Sequence, residues 1–162
     1  MTPESIRIAL IVVAALFVAF TIFQAVVPAL VRRRDKREAI SKVKREVARS
    51  RDASLSDEAR AAALCEAAKI ALEELESPRA AAKHVKNALD RQPNHGAGVV
   101  LAIAALNRAR AHRVLERLLW RALDAGLGPD DEKQAWDALL SLYEGPLKAP
   151  ERARVLARLR QS

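Results

Sequence analysis

The chain has one cysteine, five glycines and 4% aromatic residues in 162. A single thiol, Cys65, rules out an intramolecular disulfide framework. Its neighbours Ala61, Leu64, Ala68 and Leu72 recur at helical spacing, so it reads as a small buried hydrophobe. Most of the few glycines sit where helices should end, and β-branched residues are few beyond residue 31. The abundance of alanine, leucine, arginine and glutamate argues for an all-α fold. Catalytic signatures are missing too: no HExxH, Walker loop, GxSxG or glycine-rich phosphate loop occurs. His84, His95 and His112 lack metal-ligand spacing, and His95 falls in the polar turn Pro93-Asn94-His95-Gly96. The expectation is a non-enzyme with no cofactor, no metal and no catalytic residue.

What is present first is a long uncharged run. Ile8 to Val31 is 24 residues without a charge. At ~1.5 Å rise per residue it spans about 36 Å, enough for a ~30 Å hydrocarbon core. Arg32, Arg33, Arg34, Lys36 and Arg37 follow at once, against one arginine before the run. Positive flanks stay in the cytoplasm, which predicts an N-terminal anchor over 1–31 with the remainder cytoplasmic. A cleaved leader is the alternative. Against it stand the length of the run, a weakly charged n-region and three arginines just past Val27-Pro28-Ala29. The alanine- and arginine-rich composition points to a GC-rich bacterial source, hence an inner-membrane location.

The net charge of +8 is concentrated. Residues 32–51 carry ten basic and three acidic side chains, whereas residues 52–162 carry 17 and 16. Basicity beside the run belongs with topology and anionic headgroups rather than nucleic acid. Within 32–55, Ile40, Val43 and Val47 form a narrow apolar seam on a charged helix. That segment is expected to be a solvated stalk; a surface-lying helix or a short self-associating coil are the alternatives.

A helical domain is expected over 56–162. Ser56 is the predicted N-cap of a helix to about Glu76, with Asp57 and Glu58 in its first turn. Ser77 as N-cap and Pro78 as first residue open a second helix, to about Arg91. The apolar stretch Gly98–Asn107 predicts a central helix buried on more than one side. Asp130 is the predicted N-cap of a helix to Tyr143, and Pro150 opens a last short helix with Val155, Leu156 and Leu159 apolar. Trp136 and Tyr143 share a face and read as core, and Trp120 stands near Arg117 and Arg121 for a cation–π contact.

Ala88-Leu89-Asp90 recurs 34 residues later as Ala122-Leu123-Asp124, with Val85 and Leu119 three residues ahead of each copy. Ala81, Val85, Ala88 and Pro93 fall at the small, bulky, small and proline positions of a tetratricopeptide second helix; Cys65 and Leu72 fall at the large apolar positions of the first. In these residues the chain resembles the tetratricopeptide-repeat (TPR) family. Lys69, Leu115 and Leu127 depart from its small, small and proline positions. The resemblance covers about residues 57–127 and implies a stack of antiparallel hairpins that binds a protein partner as a scaffold.

Charge alternates by helix: residues 56–76 net −4 and residues 107–121 net +4. Arg110, Arg113, Arg117 and Arg121 at i, i+3, i+7 and i+11 form the candidate partner-binding stripe, for an acidic peptide, against a plain solvated face. Together these features predict a membrane-anchored adapter. The alternative is a structural protein working through anionic lipid at residues 32–51 and self-association into a homo-oligomer.

Overall fold

The computed structural model describes residues 34–159 together with Phe20. The chain divides into two compact units, residues 1–38 and 39–162. In the first unit the expected anchor, along with Arg32 and Arg33, lies outside the described residues, Phe20 apart. Arg34, Lys36 and Arg37 are helical and exposed. Among the described residues no helix is long and apolar enough to cross a membrane. Every regular element among them is a helix, so the all-α expectation holds.

Residues 34–49 are helical, and from Ala39 this helix, α1, belongs to the second unit. Its inward face is Ala39, Lys42, Val43, Glu46, Val47 and Ser50, all buried or half-buried. Ala39 is 1% exposed and Ser50 3%. Lys42 Nζ reaches Glu74 Oε2 at 3.2 Å. The segment expected as a solvated stalk therefore has a buried face, and the compact unit starts before Ser56. The apolar seam is rotated as well: Val43 and Val47 turn inward, but Ile40 is 45% exposed and Ala39 takes the inner position.

Six further helices follow: α2 (Asp57–Glu73), α3 (Pro78–Arg91), α4 (Gly96–Arg108), α5 (His112–Asp124), α6 (Pro129–Glu144) and α7 (Pro150–Leu159). Ser56 caps α2 as expected, its Oγ accepting from the Ala59 N–H at 3.2 Å. Ser77 takes the N-cap of α3 as expected, though without a side-chain cap bond, and Pro78, whose fixed φ suits the first helical position, starts the helix. The α6 cap differs. Asp130 lies inside the first turn of α6, because Pro129 occupies that first position and Gly128 the cap. There Asp130, Asp131 and Glu132 oppose the helix dipole.

The helices pair as three hairpins, α2–α3, α4–α5 and α6–α7. Their first helices lie side by side, α2 on α4 and α4 on α6, and α4 also packs on α3 and α5. The repeat seen in the sequence is a repeat of burial. Val85 and Ala88 of α3 and Leu119 and Ala122 of α5 are all buried. The same offset carries Ala68, Ala71 and Leu72 of α2 onto Ala102, Ala105 and Leu106 of α4, again all buried. The turns repeat as well. Glu76, Arg110 and Lys148 have φ of +50°, +56° and +49°, each two residues before the second helix of its hairpin. No other non-glycine among the described residues has positive φ. A left-handed residue closes each hairpin, the third included.

Aromatic and polar groups tie the third hairpin to the second. The Trp120 Nε1–H donates to Tyr143 Oη at 3.0 Å, and Tyr143 Oη–H donates to Glu116 Oε1 at 2.8 Å. Arg152 Nη1 donates to the same Glu116 oxygen at 2.8 Å, and its guanidinium lies 5.8 Å from the Tyr143 ring centre. Trp120 meets Trp136 edge-on at 5.6 Å. The cation over a ring is thus Arg152 on Tyr143, while Trp120 faces an aromatic neighbour.

Candidate functional site

Helix α4 carries more apolar surface than its neighbours cover. Val99, Ala102, Ala105 and Leu106 are buried in the stack. One turn around the helix, Ala97, Val100, Leu101 and Ala104 at helical spacing face a groove, and Val100 is 42% exposed. The opposite wall is α2, through Ala62, Cys65, Glu66, Lys69, Leu72 and Glu73. Arg108 closes one end and His95 the other. The groove encloses about 760 Å³. Alanines at 62, 97 and 104 keep its floor low, while Glu66, Lys69, Glu73 and Arg108 supply charges of both signs. Lys69, which departs from the small residue of the family pattern, opens here as a groove residue.

Local chemistry fixes the His95 end. The Gly98 N–H donates to His95 Nδ1 at 3.0 Å, so the imidazole caps α4 and presents its lone pair at that nitrogen. Cys65 Sγ lies 3.9 Å from the same nitrogen. Burial, and secondarily the Glu66 charge, push the Cys65 thiol up to about 11. A thiol held protonated near neutral pH is a poor nucleophile, so Cys65 acts as an apolar floor residue. The arrangement offers shape and apolar area with charged edges, which is the chemistry of recognition.

The stripe expected at Arg110, Arg113, Arg117 and Arg121 is not one helix face. Arg110 precedes α5, in the left-handed position of the α4–α5 turn. Arg121 is engaged with α3: its Nη1 donates to Asp90 Oδ1 at 2.8 Å and its Nη2 to the Asp90 carbonyl at 3.2 Å. Arg113 and Arg117 are exposed on α5. All four stand on or before a second helix, whereas the groove is built by first helices and the His95 cap. Sequence reasoning passed over the groove residues. The one signal for them was α4 itself, apolar on more faces than its four helical neighbours cover. No family model matches the chain, and neither a curated protein nor a solved structure does.

Proposed function

We propose that this chain is a single-pass membrane adapter whose TPR-like helical domain holds an amphipathic helix of a partner protein in the α2–α4 groove, on the cytoplasmic side. The observation that carries the reading is the outward apolar face of α4, Ala97, Val100, Leu101 and Ala104, left open beside α2. Leaving that surface in water is unfavourable by ~25 cal/mol per Å². A helix laid along two parallel helices covers it, and polar flanks on that ligand meet Glu66, Lys69, Glu73 and Arg108. The anchor half of the reading rests on the uncharged run 8–31 and the basic flank after it. Tethering raises the local concentration of a bound partner at the bilayer.

The test is site-specific photocrosslinking of the full chain in membranes. A crosslinker at Val100 is expected to capture one protein that the same probe at Val155, exposed on α7, does not. Ala104→Glu, at a half-buried position lining the groove, should abolish the capture with the helical circular dichroism spectrum retained. Equal capture from both positions, or capture that survives Ala104→Glu, would sink the proposal.

A further inference from the structure

A second cavity, of about 390 Å³, lies between the end of α1 and the face of α3, and its chemistry is opposite to that of the groove. Its rim carries Arg51, Lys83, His84, Asn87 and Arg91. Lys83, Asn87 and Arg91 recur at i, i+4 and i+8 on α3, so one helix face aims a cation, an amide and a second cation into the same space. Arg51 is brought opposite by the turn that ends α1, where the Ser50 N–H donates to Glu46 O at 2.9 Å and the Arg51 N–H to Ala48 O at 3.0 Å. Three cationic side chains, Arg51, Lys83 and Arg91, all reaching solvent, therefore line one space of about 390 Å³.

Acids close by are committed elsewhere. Asp90, the one carboxylate in the lining, receives Lys86 Nζ at 3.0 Å and Arg121 Nη1 at 2.8 Å. The Asp52 carboxylate is taken by the Ser54 N–H at 2.9 Å and the Ser54 hydroxyl at 2.7 Å. Arg91 Nη1 lies 3.9 Å from Asp57 Oδ1, a loose pair with an exposed carboxylate. His84 is half-buried, and its imidazole is held below the ordinary histidine range by burial first and by the Lys83 charge second. Among the described residues the lining thus holds three cations, Arg51, Lys83 and Arg91, against one carboxylate, Asp90, which Lys86 and Arg121 already engage.

We infer that the α1–α3 cavity is a binding site for a phosphate group, carried by a lipid headgroup or by a free phosphomonoester. Arginine forks at 51 and 91 suit the tetrahedral oxygens, Lys83 adds a point charge, and the Asn87 amide and His84 ring complete the donor set. The site stands independently of the groove, since the two share no residue.

The test uses the full chain in neutral maltoside micelles, titrated calorimetrically with glycerol 3-phosphate, with phosphatidic acid doped into the micelles, and with succinate. Arg51→Gln combined with Lys83→Gln is the site variant, and Lys133→Gln combined with Lys148→Gln removes the same charge away from the cavity. The site variant should lose about tenfold or more in phosphate affinity, the value of one charge-assisted contact, while the matched variant keeps it. Phosphatidic acid bound without glycerol 3-phosphate assigns the site to a headgroup; both bound assigns it to any phosphomonoester. No binding of either phosphate, equal binding of succinate, or equal losses in the two variants would overturn the inference.

Discussion

Cys65 offers a direct reading of the groove floor, because it is the only thiol in the chain. It is 8% exposed, packed under the end of α4, and burial raises its pKa from 9.0 to about 11. At pH 8 a thiol of pKa 9.0 is about one-tenth thiolate, and one near 11 about one-thousandth. Alkylation by iodoacetamide, followed by intact mass, should therefore run about a hundredfold slower in the native chain than in urea at the same pH. The sign for stability follows from the raised value. Any contribution from this group is fully present below the unfolded pKa of 9.0 and is lost as pH climbs through about 11. Unfolding free energy should fall across that interval, and Cys65→Ala should flatten the fall. A native alkylation rate within about threefold of the urea rate would refute the reasoning, since neither desolvation nor cover would then exist at this position. If the groove takes a partner helix, its binding should slow the native reaction further.

Other substitutions test the packing and capping of the domain. Tyr143→Phe leaves the Trp120 N–H and the Glu116 carboxylate without their shared hydroxyl, and should cost about 1–3 kcal/mol by chemical denaturation. A double-mutant cycle with Arg152→Ala should show coupling, because both groups meet at Glu116 Oε1. Leu139→Ala, at a fully buried position of α6, should cost about 2–5 kcal/mol with the helical circular dichroism spectrum retained. Ser56→Ala removes the side-chain cap of α2 and should cost about 1 kcal/mol, a loss that Ser56→Asp should restore.

Helix starts marked by proline or a capping hydroxyl were legible in the sequence: α3 begins at Pro78, α7 at Pro150, and α2 directly after Ser56. The central burial of α4 was legible from its composition, and the second-helix repeat from Ala88 and Ala122. Rotation about a helix axis was harder to read. Ile40 looks like seam but is exposed, because Ala39 fits closer against the domain. Arg110 fits the spacing of its stripe, yet a left-handed backbone takes it off the helix. Periodicity states that a face exists without stating which neighbour covers it. The α2–α4 groove depends on two helices 34 residues apart in register, and the α1–α3 cavity on a turn after Ser50. Neither juxtaposition leaves a local trace in residue order.

The position of α4 also bears on how the chain reaches this state during synthesis. Its contacts run to α2 and α3 before it and to α5 and α6 after it. As the chain leaves the ribosome from its N-terminus, α2 and α3 can pair at once and receive one side of α4. The side that α5 and α6 will cover stays open until about 36 more residues, through Glu144, have emerged. During that interval the most apolar helix of the domain is half-clothed. A holding factor, or slow passage of the ribosome at that point, would act on this face of α4 before any other.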